Sequence, residues 1–436
     1  MDNVFKKVQE IAATYEKDMV AFAQKLIQTK SISGTEDGVA KLYQEEMEKL
    51  GYDEVFQDAA GNVIGMIKGE GPTIMFNSHM DHVSEGDVTN WEGYDPYGGE
   101  IDICEVDNRD KTGTELAKCI HGRAASDTKG GGAVQVYAGA ILLKLREMGY
   151  PLKGTYMFTG VVLEETSECA GMKYMIDHTF KERGLDYDVL VSSEATSLNL
   201  YLGHRGRTEY LITTYGRTSH GSAPWLGINA VYKAMPLIEK LKNELYPSLP
   251  SDPELGQSSI SLNIIECSPG ALSIVPDKCM LSIDRRTIPG ETDEEVLAQF
   301  QNIIDEIARE DPEFKADVKI KSAVERTFTG LKLDEVKNVL PWKMPVEHPF
   351  TLACKEGLQA VGQQPKLDYW IFATDMSLNS GRDHKPAIGY SPMQEQYAHT
   401  PYDKVRIDFM MEALAGNVAI FIRGCEAGKD IGKLLD

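Results

Sequence analysis

Apolar residues recur every three or four positions between 3 and 30 (Val4, Val8, Ile11, Met19, Phe22, Leu26, Ile27), the spacing of one buried helix face. The pattern returns over 35–50 and stops at Gly51, a residue suited to close a helix. Strand-like runs at 54–57 and 62–68 then flank Ala60-Gly61-Asn62 and predict a hairpin. Thr73-Ile74-Met75-Phe76-Asn77-Ser78 reads as a buried strand emptying into His79-Met80-Asp81. Two more runs, 155–163 and 188–191, end on Glu164-Glu165 and Ser192-Ser193-Glu194, with helices expected over 133–148 and 171–180. Successive strand ends thus deliver imidazole or carboxylate to one edge, where open α/β sheets bind ligands.

Between these elements, 84–121 is polar, aromatic and glycine-rich (Trp91-Glu92-Gly93-Tyr94-Asp95-Pro96-Tyr97), too long for an idle loop. It is expected to be a substrate-side or structural excursion. Gly130-Gly131-Gly132 follows Asp127-Thr128-Lys129; lysine ahead of the glycines is the wrong order for a phosphate loop, so the glycines are expected to let a helix pack closely on a strand. The texture changes near Tyr201. Strands at 209–215, 258–265, 278–284 and 317–321, with helices at 229–245 and 292–309, form a compact α+β unit inserted into the first domain. Helices at 350–361 and 407–425 and a strand near 387–390 complete the first. The expected division is 1–202 with 328–436, and 203–327 between them.

At 436 residues the chain exceeds the roughly 250–300 residues of a single core, in keeping with two domains. A formal charge of −22 argues against nucleic acid or an anionic membrane as partner. No apolar run approaches the roughly 20 residues of a membrane span, and the start reads as an amphipathic helix rather than a signal peptide. The seven cysteines are scattered without a CxxC pair, as expected for reduced thiols in a cytoplasm.

The residues at the strand ends, with two further along, form a set: His79, Asp127, Glu165, Glu194 and His399. Imidazole nitrogen and carboxylate oxygen suit hard or borderline dications. Five such ligands are too many for one catalytic zinc and right for two ions sharing a carboxylate. Glu164, beside a ligand on the alternate side of the chain, is the natural general base. Asp81, two residues from His79, points the same way on an extended backbone. His82 and His121 flank these motifs without matching a ligand position.

The motifs His79-Met80-Asp81, Gly122-Arg123-Ala124-Ala125-Ser126-Asp127-Thr128-Lys129-Gly130, Glu164-Glu165, Ser193-Glu194, Gly216-Arg217-Thr218-Ser219-His220 and Ala398-His399-Thr400-Pro401 resemble those of the dinuclear zinc aminoacylase and carboxypeptidase family. Glutamate carboxypeptidase, succinyl-diaminopimelate desuccinylase and acetylornithine deacetylase belong to it, and the likeness is greatest to its selenium-metabolism-linked hydrolases. The resemblance implies a mixed-sheet α/β catalytic domain with an inserted α+β lid that dimerises. It implies that His79 and Glu194 hold one metal, Glu165 and His399 the other, and that Asp127 bridges. Glu164 is then the acid/base, Asp81 the partner that sets the His79 tautomer, and His220 the lid histidine that stabilises the oxyanion, in its own or a neighbouring subunit. Asn263 and Arg286 match positions that hold a substrate carboxylate. The implied reaction is hydrolysis of an amide (peptide, N-acyl or N-carbamoyl) by a metal-bridged hydroxide; zinc is favoured, and cobalt or manganese fits the same ligands. A catalytically silent metal- or ligand-binding scaffold of the same fold is the alternative. The stretch 102–118 is extra relative to the family pattern, and the acid that usually follows the final His-Thr-Pro is present only as Asp403.

Overall fold

A computed structural model describes residues 2–91, 93–166 and 169–435. Nine strands form one mixed sheet in the order Glu54–Gln57, Val63–Ile67, Thr155–Val161, Thr73–His79, Val189–Ser192, Ala387–Gly389, Leu200–His204 and Trp342–Lys343, with Leu367–Trp370 added along Leu200–His204. The central four, Thr155–Val161 to Ala387–Gly389, run parallel. Their residues are almost all buried, as a sheet covered on both faces requires. The 54–57 and 63–67 strands form the expected hairpin.

Helix Gly130–Glu147 is buried along nearly its whole length and packs against Asp2–Gln28 and Ile407–Ala427. The three glycines permit this. A Cβ on Gly132 would stand 2.7 Å from Ser78 Oγ, on the strand that carries His79, and 2.0 Å from the Tyr43 hydroxyl. The helix start is thereby held hard against the strand end, and Asp127 just before it is brought over His79.

The excursion proves to hold a sheet of its own. Ile101–Asp107 and Thr114–His121 pair antiparallel, and Lys404–Arg406 adds to the second strand. The period-2 signal was hidden because each face mixes polar and apolar residues. Ile103 and Leu116 are 70% and 75% exposed on the side that also carries buried Ile120, whereas Asp102, Cys104, Cys119 and His121 share the other face. A second unexpected hairpin joins Ser322–Arg326 to Lys332–Val336.

A smaller sheet orders Ser259–Ser268, Lys278–Thr287, Gly206–Tyr215 and Lys315–Ile320, and Asn338–Val339 also pairs with Gly206–Tyr215. Helices Ala230–Lys240 and Asp293–Glu310 cover it, closing a separate core around Tyr210, Ile212, Leu237, Leu281 and Phe300. Thr292 and Glu295 form a reciprocal cap that starts the second of these helices. The chain crosses between the sheets twice, at Arg205 and at 340–341. Among the described residues no helix is long and apolar enough to cross a membrane.

Candidate metal centre and substrate pocket

Parallel register sets the centre. His79 pairs with Val161, and Asn77 with Ser192, so the chain leaves all three strands at one edge, toward His79, Glu164-Glu165 and Glu194. Left-handed backbone at non-glycine residues marks the turns that aim the ligands: Ala124 (φ 68°), Leu163 (φ 56°) and His399 itself (φ 58°). Such conformations persist only where the surroundings enforce them.

Asp127 stands at the middle. One carboxylate oxygen lies 3.0 Å from His79 Nε2 and the other 2.8 Å from His399 Nε2. Glu194 approaches His79 Nε2 at 3.6 Å, and Glu165 approaches His399 Nε2 at 3.2 Å. The five residues therefore fall into two pairs, His79 with Glu194 and His399 with Glu165, joined by one carboxylate. His79 is buried, whereas the His399 side chain is half exposed and forms the open side.

His79 Nδ1 donates to the Asp81 main-chain carbonyl at 3.0 Å, closer than the Asp81 carboxylate at 3.5 Å. That fixes the tautomer and leaves Nε2 facing inward. The Asp81 carboxylate has other contacts: it accepts the Glu164 and Glu165 amides at 3.1 and 3.0 Å, and the Ser33 hydroxyl at 2.7 Å. Asp81 thus holds the strand end carrying His79 to the turn carrying both glutamates. Behind them, the buried Glu36 accepts the Leu163 amide at 3.2 Å. Asp403 takes a comparable part on the other side. Its buried carboxylate accepts from the Ala124 amide, the Ser126 amide and hydroxyl, and Arg123, and so ties down the turn before Asp127. Trp91, expected either to line the pocket or to pack the excursion, packs: Arg123 lies over its ring.

Crowded acids dominate the electrostatics. Burial, with Asp375, Glu194 and Glu165 adding, pushes the Glu164 carboxyl well above its usual range despite His79. Burial and Asp127 raise Glu165 and Glu194 in the same way. Hydrogen bonds to Asp127 and Glu165 lift His399 to about 10. Burial opposes a charge on His79, but Asp127 and Asp81 outweigh it and hold the ring well above its usual value. A cluster that binds protons this firmly is short of positive charge, and dications at the imidazole and carboxylate atoms would supply it and reverse these shifts. The donor set fits divalent metal, and His79, Asp127 and Glu165 place ligand atoms within 4.8 Å of one another.

A cavity of about 370 Å³ opens from the cluster and is lined by Asp127, Glu164, Glu165, Glu194 and His399, with Ala195, Phe372, Glu395, Arg207 and Arg286. Arg207 was missed in the sequence. It lies directly across from Arg286, and both are paired with Asp284, Arg207 at 3.0 Å and Arg286 at 2.7 Å. The signal was present as Gly206-Arg207-Thr208-Glu209 alternation, but only pairing with the 278–287 strand shows which face it joins. His220 and Asn263 do not line this cavity. His220 is exposed on its loop beside Ser222, at 2.7 Å, and Asn263 sits at a bulge in the edge strand, in a small groove shared with Arg207.

This combination of a parallel sheet edge carrying paired imidazole and carboxylate, and an inserted five-stranded lid, defines a metallopeptidase-type fold. Residues 202–312 match the M20 peptidase dimerisation domain. The chain is 33% identical over 420 residues to the uncharacterized protein YgeY of Escherichia coli (strain K12), covering 95% of this chain and 96% of that one. It is 24% identical over 321 residues to a probable succinyl-diaminopimelate desuccinylase of Staphylococcus aureus (strain Mu50), covering 67% and 74%. Among solved structures, the aminopeptidase PepT from Bacillus cereus superposes with a TM-score of 0.67 at 20% identity, covering 96% and 99% of the two chains. A dinuclear metal-binding M20 peptidase from Bacillus subtilis superposes with a TM-score of 0.65 at 16% identity, covering 94% and 99%. The chain belongs to the M20 metallopeptidase family.

Proposed function

We propose that this chain is a dinuclear metal-dependent amidohydrolase that cleaves a C–N bond (peptide, N-acyl or N-carbamoyl) in a small amino-acid derivative bearing a carboxylate. The observation that carries the reading is Asp127, whose two oxygens face His79 and His399 separately, each histidine backed by its own glutamate. His79, Glu194 and Asp127 would hold one ion, and His399, Glu165 and Asp127 the other. Zinc is favoured, with cobalt or manganese suited to the same ligands. When bound, such a pair supplies Lewis acidity and lowers the pKa of water at the site.

Glu164 lines the cavity without belonging to either ligand pair. It takes a proton from the attacking water and returns it to the leaving nitrogen. Arg207 and Arg286 reach the same cavity from the lid and receive the substrate carboxylate, a task for which the planar guanidinium is suited. The activities for which two of the similar proteins are named, desuccinylation and aminopeptidase cleavage, both break such amide bonds.

The chain works as a homodimer through the lid. Tyr232, Met235, Ile264 and Ile265 are at least 50% exposed on the first lid helix and the edge strand, an apolar surface next to unpaired backbone. His220 and Asn263, outside their own cavity, then reach that of the partner, where His220 stabilises the oxyanion.

The test pairs metal content with hydrolysis of a panel of dipeptides, N-acyl and N-carbamoyl amino acids, using wild type and Glu164→Gln. Two metals per chain in both proteins are expected, with kcat lowered about 10²–10⁴-fold by the substitution. Failure to take up metal, or equal turnover by Glu164→Gln, overturns the reading. Metal uptake without turnover of any panel member leaves the silent scaffold.

A further inference from the structure

The inserted hairpin carries a second constellation that the hydrolytic centre does not use. Its strands read Asp102-Ile103-Cys104 and Cys119-Ile120-His121, each with two metal-capable side chains two residues apart. Asp102 is paired with Cys119, and Cys104 with Ala117, so Asp102, Cys104, Cys119 and His121 all project from one face. That face is partly covered: Cys104 and Tyr397 pack against Val106, Ala117 and Cys119, His121 is buried, and the Asp102 side chain is 42% exposed. Ligand atoms of Asp102, Cys104 and His121 lie within 4.8 Å of one another, and Cys119, directly opposite Asp102 on the same face, donates its thiol to the Ala117 carbonyl at 3.8 Å.

We propose that Asp102, Cys104, Cys119 and His121 form a separate site for a zinc-class divalent cation that fastens the inserted hairpin. Two thiolates, an imidazole and a carboxylate make a tetrahedral set suited to zinc and softer than the centre holding Asp127. The hydrolytic centre provides an internal comparison. There, prospective ligands approach at 2.8–3.0 Å (His399 and His79 against Asp127), and His121 Nε2 approaches Asp102 Oδ1 at 2.7 Å. The supporting shell is also built. The Tyr94 hydroxyl donates to the other Asp102 oxygen at 2.6 Å, and its ring stacks on His121 with centroids 4.0 Å apart. Tyr94 so fixes both a carboxylate and an imidazole, as groups behind metal ligands do.

The surrounding charges balance. Each thiol releases its proton to solvent on binding, which leaves three negative ligands around one dication. Lys404 and Arg406 lie directly opposite His121 and Cys119 on the third strand; Arg406 pairs with Glu115 and Asp408, and Lys404 supplies the offsetting charge. That strand begins five residues after His399, so the cation joins the insertion to the segment following the His399 loop. The site has a structural role in this reading, with all four positions occupied by protein.

Thiolate ligation gives a signature that an oxygen- and nitrogen-only centre lacks. The full-length protein, stripped of metal and kept reduced, is titrated with Co²⁺ and followed in the near ultraviolet for sulfur-to-cobalt charge transfer. The expected result is a thiolate band that saturates at one Co²⁺ per chain, beyond the uptake of the hydrolytic centre. Cys104→Ser with Cys119→Ser abolishes the band and keeps the remaining uptake. Should that variant not fold, Tyr94→Phe retains the ring and every ligand and weakens the thiolate site about tenfold. A wild-type protein saturated with Co²⁺ and showing no thiolate band overturns the proposal. So does a band that survives in the double serine variant, which assigns it to another cysteine such as Cys169, or one whose affinity Tyr94→Phe leaves unchanged.

Discussion

Replacing Asp403 by alanine tests how much of the metal centre depends on a residue that touches no metal. The carboxylate is fully buried and accepts four hydrogen bonds: Ala124 amide at 2.7 Å, Ser126 amide at 2.9 Å, Ser126 hydroxyl at 2.7 Å and Arg123 Nη1 at 3.1 Å. Arg123 is itself only 3% exposed, so the substitution leaves a cation without its counter-charge. Breaking a buried pair from one side costs about 3–5 kcal/mol. Each orphaned amide adds about 1–3 kcal/mol, of which water entering the vacated space recovers part. The expected loss is at least about 4 kcal/mol, a large share of the roughly 5–15 kcal/mol that holds a native protein together. Urea unfolding of the metal-free protein measures it. Calorimetric titration with Zn²⁺ should show weakened binding as well, because the turn that Asp403 holds leads directly into Asp127. In an Arg123→Met background the same substitution should cost markedly less, since no cation is stranded. A loss below about 1 kcal/mol, or an equal loss in both backgrounds, refutes the reasoning.

Two further outcomes follow from the geometry. His204 is buried where the chain crosses between the sheets, donating to the Arg205 carbonyl and accepting the Thr374 amide, and burial lowers its pKa from 6.5 to about 4. The unfolded chain therefore takes up a proton near pH 6.5 that the folded one refuses until about 4. Stability from this residue is complete above 6.5 and falls by about 3 kcal/mol on descending to 4, a slope that His204→Asn should remove from urea unfolding across that range. On the lid, wild type is expected to sediment as a dimer and Tyr232→Glu with Met235→Glu as a monomer, and an unchanged mass would exclude this face as the interface.

Much of the centre was legible because its chemistry is local. Strand runs that end on His79, Glu164-Glu165 and Glu194 announce themselves by composition, and parallel pairing has only to set their ends level. The glycines at 130–132 were readable for a similar reason: a run without side chains before an apolar helix has few uses besides close packing, and Gly132 against Ser78 is that use. The hairpin at 101–121 was not legible. Ile103 and Leu116 face water while Asp102 and His121 share a face with buried Val106 and Cys119, so the period-2 pattern is blurred, and the hairpin's third strand comes from 404–406, almost 300 residues away.

Residue types, their order and their approach to strand ends were therefore determined by sequence alone, since backbone alternation and helix period act over a few residues. Three matters were decided only by tertiary structure. Arg207 entered the pocket through pairing with Arg286. Asp81 was assigned to the glutamate amides as well as to its histidine. Asp102, Cys104, Cys119 and His121 came together on one face. Each depends on which strands become neighbours and in what register, and that is fixed by burial summed over the whole chain, not by any short stretch of it.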